Sequence, residues 1–469
     1  MASVLVANAP NYPRTELSIL IEPVDVLAIA TWLRHHGHET VFADLDRHGV
    51  EELRKHQKRV DLAVLVLDYL IPLHTGAALD ALDSAIAALA EVADVVMLAG
   101  RPASYRPSDL LARYPLLDGC ILGEAEWPLL ELCQGARSVP AVVFRHEGEQ
   151  TFAMRRPKVP SNVYDQLPDD GPISDRRLCR TGDYIDVRSI ISSRGCGSVC
   201  RFCSTVDYWG PWRGASPALM LAEMRRLSEA GAGKIIFLDD SFANDRRRVI
   251  EFCELLRRNP LPCVWGCLSR VEDLTAPMLT DMAEVGCRWI HFGIEHGNHG
   301  VRARLGKHFT DDLAASVIAF AISRGIRVRT SWLVDAPGWS ADSLEETFRF
   351  AETLSSHEIK LHFLVTRPGS LLYRNRIRSS HQLNNGAALA GSLSMDEISI
   401  HSRGSTQFRS GGLTNDRVGD AVHRFRQRMA DRYQWVDDVA FWRRFDSKEA
   451  SINDRFLSTV ITRYGLGWH

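Results

Sequence analysis

The sequence predicts an α/β protein built from two parallel-sheet domains, a doubly wound one at the amino end and a partial barrel behind it. Three observations carry this reading. The chain has 469 residues, too many for one ordinary domain. Short apolar runs alternate with amphipathic stretches over residues 1–135 and again over 186–375, the rhythm of parallel strands covered by helices. Between them, residues 136–185 break the rhythm with Pro140, Pro157, Pro160, Pro168, Pro172 and the turn Asp169-Asp170-Gly171, as a linker with one small hairpin would.

In the first domain, strands are expected at 4–7, 40–43, 61–67, 94–98 and 119–122. Helices fall at 24–36, 50–56, 77–91 and 107–113, with another after Glu124. Five such units make a flavodoxin-like domain. The alternation restarts with a strand at 187–192, a cysteine-rich loop, and a helix with Ser216 as N-cap, Pro217 in its first turn and Gly231 as its stop. Strands are then expected at 234–238, 263–268, 289–294, 327–334 and 360–365, and helices opening at Asn244, Thr275, Thr310 and Ser340. Six βα units fall short of a closed eight-stranded barrel and fit a partial (βα)6 one. Residues 376–469 read as mostly helical and polar, with aromatic-rich segments around 433–445 and a Gly/Ser-rich loop at 404–412.

Composition narrows the function classes. With 45% hydrophobic and 24% charged residues the chain reads as a soluble globular protein, and no apolar run approaches the roughly 20 residues of a membrane span. The start lacks the pattern of a secretory leader, so a cytoplasmic location is expected. The 56 basic and 58 acidic residues nearly cancel, which disfavours nucleic acid as the main partner. Of the ten cysteines, Cys120, Cys133, Cys253, Cys263 and Cys287 sit in apolar or helical settings and read as small buried hydrophobes.

One cysteine group is spaced for metal. Cys196-Gly-Ser-Val-Cys200-Arg-Phe-Cys203 offers three thiolates within eight residues, after a strand and ahead of a helix. Structural zinc wants four protein ligands, usually as separated pairs, and no second pair lies near. Iron-sulfur clusters also take four ligands as a rule, so three cysteines leave one iron of a four-iron cluster open to an outside chelator.

This CxxxCxFC motif after the first strand of a partial barrel resembles the radical S-adenosylmethionine (SAM) superfamily. Further matches are Leu238-Asp239-Asp240-Ser241-Phe242 at the second barrel strand and Gly293-Ile294-Glu295-His296-Gly297 at the fourth. Ala336-Pro337-Gly338 follows the fifth, and Pro368-Gly369-Ser370-Leu371-Leu372-Tyr373 closes the barrel. The resemblance implies a [4Fe-4S] cluster on Cys196, Cys200 and Cys203, with SAM chelating the open iron and being split into methionine and a 5'-deoxyadenosyl radical. It also implies an electron donor such as flavodoxin or ferredoxin, and a small-molecule substrate. Carried over residue by residue, Glu295 would bind the ribose hydroxyls. The backbone around Phe202 and at Ala336, Pro337 and Gly338 would meet adenine, Ser331 or Arg270 would orient the methionine, and Asp240 would stand at the same strand ends. Glu295-His296-Gly297-Asn298 departs from the commoner ESGS form, which leaves position 296 without an assigned role.

The first domain resembles the B12-binding (cobalamin-binding) domain that precedes such barrels, through 22–43 and Asp118-Gly119-Cys120-Ile121-Leu122-Gly123-Glu124. Three departures weigh against cobalamin itself: no DxHxxG motif, Ala99-Gly100 in place of a Gly-Gly pair, and the all-apolar run Val64-Leu65-Val66-Leu67 in strand three. On that ground the leading expectation is direct radical dehydration of a hydroxylated metabolite, a resemblance to the aminoglycoside-deoxygenating radical dehydratases. Asp239, Asp335, His291, His296 and His362 would supply its acid and base. The alternative is cobalamin-dependent methylation of a carbon in a natural-product intermediate. A non-enzymatic iron-sulfur or corrinoid-binding protein would leave the polar strand ends unexplained.

Overall fold

The alternation of apolar and amphipathic stretches folds, in a computed structural model, into two parallel sheets flanked by helices. The structure describes residues 1–10, 21–55, 58–67, 76–145, 162–334, 336, 338, 340–362, 364, 367–375, 421, 424–425, 427–429, 431–432, 434–435 and 451–453. Two compact units emerge. Their described residues fall within Met1–Ile191 and Asp207–Arg226 for the first, and within Ser192–Val206, Leu227–Ile377 and the stretch beyond 420 for the second.

In the first unit, strands β1 (Ser3–Asn8), β2 (Glu39–Asp44), β3 (Val60–Leu67), β4 (Ala93–Gly100) and β5 (Gly119–Ile121) run parallel. Helices α1 (Val24–His35), α2 (Leu45–His48), α3 (Gly76–Val92), α4 (Arg101–Tyr105), α5 (Pro107–Arg113) and α6 (Glu126–Cys133) connect and follow them. The sheet order is β2-β1-β3-β4-β5-β6, the flavodoxin-like order with one addition. That addition is β6 (Val142–Phe144), which pairs antiparallel with β5, Gly119 opposite Phe144. Its apolar residues gain more by extending the sheet than by forming the separate hairpin expected of a linker. The stretch 50–56, expected as an α-helix, is a 3-10 helix at Val50–Lys55.

Residues 162–190 are packed onto this unit. Ser174 Oγ donates to Val24 O (2.8 Å), and Asp175 N–H donates to Thr31 Oγ1 (2.7 Å). Arg176 lies between two buried carboxylates, Glu223 (2.7 Å) and Glu22 (3.5 Å). The segment ends in β7 (Val187–Ile190) and is followed by two-residue strands β8 (Ser193–Arg194) and β9 (Arg213–Gly214) on either side of α7 (Thr205–Trp209).

Helix α8 (Pro217–Glu229) starts as expected, with Leu219 N–H donating to Ser216 Oγ at 3.2 Å. The second unit then runs β10 (Lys234–Phe237), α9 (Arg246–Arg258), β11 (Val264–Ser269), α10 (Ala276–Glu284), β12 (Cys287–Glu295), α11 (His299–Leu305), α12 (Asp311–Ser323), β13 (Arg327–Leu333), α13 (Ala341–Thr353) and β14 (Glu358–His362). Strands β10 to β14 are parallel neighbours in chain order. Thr275, Thr310 and Ser340 cap their helices through side-chain hydrogen bonds. The helix expected at Asn244 begins two residues later, because Asp245 takes the capping role. Beyond residue 420 the chain returns to this unit. Phe425 stacks on Phe348 (4.4 Å), and β15 (Gln434–Trp435) and β16 (Ser451–Asn453) extend the sheet past β14, in a region expected to be mostly helical. The segment 404–412 and most of 433–445 lie outside the described residues.

The two faces of the second sheet differ in chemistry. Phe237 and Trp265 face α9, meeting its Phe252 at 5.7 and 5.8 Å. Strand alternation puts Gly266 and Leu268 on the other face, and their register partners Trp289 and His291 lie there too. That inner face is polar on β12 to β14. Glu358, fully buried, accepts from Arg327 (2.8 Å), Arg329 (2.6 Å) and Trp289 Nε1 (3.1 Å). One carboxylate thus serves two guanidiniums, and Arg329 also lies over the Trp289 ring at 4.7 Å.

Gly100 ends β4 with φ of +102°, and a Cβ there would stand 2.1 Å from Leu67 O. Backbone occupies that space, so no side-chain shift relieves it. Gly100→Ala is expected to destabilise the first unit by about 2–4 kcal/mol, seen as a lower denaturant midpoint. Gly182→Ala, with no atom within 4 Å and no positive φ, is expected to leave the midpoint unchanged.

Candidate active site

The cysteine loop begins at a buried anchor. Asp239 stands two residues past the end of β10 and is fully buried; it accepts from Ser192 N (2.6 Å), Ser193 N (3.1 Å), Ser192 Oγ (2.7 Å) and Ser193 Oγ (2.8 Å). Arg248 of α9 stands 3.9 Å away and donates to Ser192 O (2.9 Å). Burial pushes the Asp239 carboxyl up, and Arg248 with the two serines opposes it. A carboxylate so engaged ties the loop to the sheet; it has no opening toward a substrate proton, as the acid-base assignment needed.

Beyond this anchor the three cysteines follow in irregular backbone. Cys196 and Cys200 are half-buried and Cys203 is exposed. Burial pushes the Cys196 thiol up to about 11 and raises Cys200 as well. The sulfurs already receive donors: Ser198 N–H to Cys196 (3.4 Å) and Thr205 N–H to Cys203 (3.4 Å), with Ser198 Oγ at 3.3 Å from Cys200. Such bonds favour thiolate and tune cluster potential. Gly197 N–H donates to Asn244 Oδ1 (2.7 Å), where a Cβ on Gly197 would stand 2.8 Å from the same oxygen. On the other side Gly306, left-handed at φ +81° after α11, lets the chain pass so close that a Cβ would lie 2.9 Å from Val199 O. Among the described residues no three His, Cys, Asp or Glu side chains surround a single-ion site. The donor set, three soft thiolates from one short loop without a fourth, fits a cluster with one open iron better than it fits zinc.

Glu295 ends β12 in an unusual conformation. Its φ is +72°, and His296 N–H donates to Ile294 O (3.0 Å), closing a γ-turn with positive φ at its centre, a rare and strained form. The register with β13 slips here, Gly293 opposite Ser331 but Glu295 opposite Trp332. Lys307 holds the turn from below, donating to Gly293 O (2.6 Å) and pairing with Glu295 Oε1 (3.1 Å). Burial alone would lower Lys307, but Glu295 and Cys200 beside it keep its pKa raised. A Cβ on Gly293 would stand 2.5 Å from Glu295 Oε1. From the other side Thr347 of α13 accepts from Gly297 N (2.9 Å) and lies 3.0 Å from His296 Nδ1. His296 is buried and pushed down to about 3 by burial and by Arg302. It braces the turn against α13.

The inner face above Glu358 carries the remaining polar candidates. His291 Nε2 meets Ser331 Oγ at 2.5 Å. Burial, then Arg329 and Lys360, hold His291 well below its ordinary range, and burial with Lys360 and Arg367 does the same to His362. All three histidines are therefore neutral and weakly basic near pH 7.

Phe202 packs against an apolar cluster of Val301, Leu305, Leu333, Ala336 and Leu364. Gly338, at φ +78°, accepts from Arg304 (3.1 Å). Arg270 pairs with Glu272 (2.6 Å) and Asp273 (3.8 Å), and its charge acts on Cys196. Asp240 accepts from Thr205 Oγ1 (2.9 Å). Asp335 and Pro337 lie outside the described residues. Sequence reasoning passed over Gly306, Lys307 and Thr347, and read Asn244 only as a helix start. Of these only Gly306 carries a local signal, as a glycine closing a short helix with Asn298 as its cap. Cys120, Cys253 and Cys287 are buried as expected, whereas Cys133 and Cys263 are half-buried.

Residues 190–351 match the family model of the radical SAM superfamily. An uncharacterized methyltransferase of Pyrococcus horikoshii is 25% identical over 299 residues, 61% of this chain and 63% of that protein. The hopanoid C-3 methylase of Methylococcus capsulatus is 27% identical over 355 residues, 71% of this chain and 64% of that one. The chain thus spans slightly less than two thirds of either relative. Among solved structures, the radical SAM methyltransferase TsrM from Kitasatospora setae, with cobalamin and a [4Fe-4S] cluster bound, superposes with a TM-score of 0.71 at 16% identity. The match covers 85% of this chain and 81% of TsrM, and it shows the shared fold.

Cys196→Ala, Cys200→Ala and Cys203→Ala are each expected to abolish the iron-sulfur absorbance of anaerobically reconstituted protein. Cys120→Ala and Cys287→Ala should reconstitute normally. Full cluster content in any of the first three, or loss in a folded form of the last two, would show that the wrong cysteines have been assigned.

Proposed function

Starting from a chain that belongs to the radical SAM superfamily, an enzyme of [4Fe-4S] cluster and S-adenosylmethionine chemistry, we propose that it is a cobalamin-dependent methyltransferase acting on a small polar natural-product intermediate. The observation that carries the reading is the pairing in one chain of a flavodoxin-like sheet with the radical SAM barrel. TsrM shares this fold over 85% of the chain. The named methylating relatives support it further.

Direct dehydration, favoured by the departures in the first domain, loses ground on two counts. It needs an acid and a base at the strand ends. Yet Asp239 is locked by four donors, and His291, His296 and His362 are weak bases held by burial and neighbouring cations. The departures themselves also have core explanations. Ala99 is fully buried, so its methyl belongs to the packed interior of the domain, and residues 64–67 are the buried carboxyl-terminal half of β3. At the carboxyl edge of that sheet small residues meet Tyr208, whose hydroxyl donates to Gly123 O (3.0 Å) and over whose ring Arg101 lies at 5.0 Å. Ser104 Oγ bridges Gly100 O (2.7 Å) and Gly123 N (2.9 Å), and Gly123 has φ of +78°. A doubly wound sheet binds ligands at this edge, and these residues fit a broad planar group laid against backbone. When bound, the corrin would supply the methyl group and the cluster with SAM the radical. The barrel's own part would be to grip SAM at the strained Glu295 turn and to offer the His291-Ser331 face to the substrate.

Glu295→Ala is expected to weaken SAM binding by about 10- to 100-fold, the loss of charge-assisted hydrogen bonds worth about 1.5–3 kcal/mol. The cluster should remain. Thr347→Val should give a smaller loss in the same titration, restored by Thr347→Ser. A cluster-free Glu295→Ala protein would assign the residue to the scaffold instead.

Protein reconstituted anaerobically with iron, sulfide and hydroxocobalamin is expected to retain a stoichiometric corrinoid through gel filtration. Incubated with dithionite as reductant, methyl-deuterated SAM and an extract of candidate metabolites, it should yield a product heavier by one labelled methyl group. No retained corrinoid, together with 5'-deoxyadenosine and a dehydrated product of unchanged carbon count, would reinstate the dehydratase reading.

A further inference from the structure

We propose that Lys307 is a positioning residue with two duties: it orients the Glu295 carboxylate for the nucleotide, and as a fixed positive charge beside Cys200 it makes the cluster easier to reduce. The proposal rests on the assignment of a [4Fe-4S] cluster to the three cysteines and of the SAM ribose to Glu295.

The chain delivers Lys307 to this place through α11. Asn298 caps the helix, Gly306 closes it in the left-handed region, and Lys307 N–H donates to Arg302 O (3.0 Å). Two contacts set the end of the helix against the cysteine loop. Arg201 N–H donates to Leu305 O (2.9 Å), and a Cβ on Gly306 would stand 3.3 Å from Cys200 Cα. Lys307 thus follows directly on backbone that touches the second cysteine. Its ammonium reaches β12, donating to Gly293 O (2.6 Å) and pairing with Glu295 Oε1 (3.1 Å). One side chain therefore spans the strained turn, and its own backbone abuts the loop.

Burial gives this charge its leverage. Lys307 is 6% exposed, and a charge withdrawn from water is felt farther and is little screened by salt. Glu295 and Cys200 keep the ammonium charged against the cost of burial, and Glu272 adds to their effect. In return Lys307 favours the thiolate at Cys200 more than the Ser198 hydroxyl does, while Cys203 and Glu295 oppose it. A cation that favours a thiolate also favours the extra electron of a reduced cluster, and so raises its potential. Other charges at the loop offset one another. Arg270 and Asp240 act on Cys196 with opposite sign, and Arg270 is itself paired with Glu272 and Asp273.

The test measures the one-electron midpoint potential of the reconstituted full chain without SAM. Reduction by dithionite through viologen mediators is followed by electron paramagnetic resonance, with iron content checked in each variant. Lys307→Met, similar in length and uncharged, is expected to lower the reduction equilibrium constant about tenfold, a shift of about 59 mV toward negative potential. Its Kd for SAM should rise at least about threefold. Lys307→Arg keeps the charge and should stay near the wild-type potential. Glu295→Gln removes the opposing carboxylate and should move the potential in the positive direction, which decides the matter even where Lys307→Met fails to load its cluster. Arg257→Met, on the exposed face of α9, should change nothing. The proposal is overturned by a wild-type potential in cluster-loaded Lys307→Met, by an equal negative shift in Lys307→Arg, or by a negative shift in Glu295→Gln. Those results leave the assigned cluster standing, whereas a wild-type chain that loads no four-iron cluster overturns both.

Discussion

The constraint on which the site depends is the burial of a single carboxylate. Asp239 has no access to water, and an isolated buried carboxylate is costly enough that its surroundings must supply donors. Ser192 and Ser193 supply four of them, which fixes where the chain leaves the sheet three residues before the first cysteine. Arg248 then joins the same group to α9. The loop that carries the cysteines is thus rooted in the core, although its own residues bury little.

A second fixed point faces the first across the strand ends. Holding a non-glycine residue at positive φ costs about 1–3 kcal/mol and persists only where neighbours over-determine it. Around Glu295 those neighbours come from three directions: Gly293 on the same strand, Lys307 beyond α11 and Thr347 on α13. Lys307 is also felt by Cys200, so the turn and the cysteine loop share a charged group. Cluster and glutamate are arranged as one assembly, and α11 with its closing Gly306 is the piece that relates them.

Much of the fold was legible because buried parallel strands read as continuous apolar runs, and β3 and β4 are of this kind. The caps Thr275, Thr310 and Ser340 are local signals that tertiary packing left in place. What escaped notice was short or dependent on distant partners. Helix α11 has seven residues and too little length for a periodic signal, and β6, β15 and β16 are strands only because a neighbouring edge pairs with them. The cysteines were legible for the opposite reason, since their chemistry resides in spacing alone. Lys307, Thr347 and Glu358 acquire their roles through a bulge and through cross-strand register, which no window of sequence displays. The buried Asp239 shows how this cuts the other way. An acidic residue at a strand end looks reactive until the serines that claim it are seen.

The Glu358 cluster bears on rigidity. Trp289, Arg327, Arg329 and Glu358 interlock across the amino-terminal part of β12 to β14. Because one carboxylate serves donors from the two other strands, no member can turn without breaking a bond to it. The three strands are thereby clamped as one body, and the His291-Ser331 face they carry inherits its stiffness.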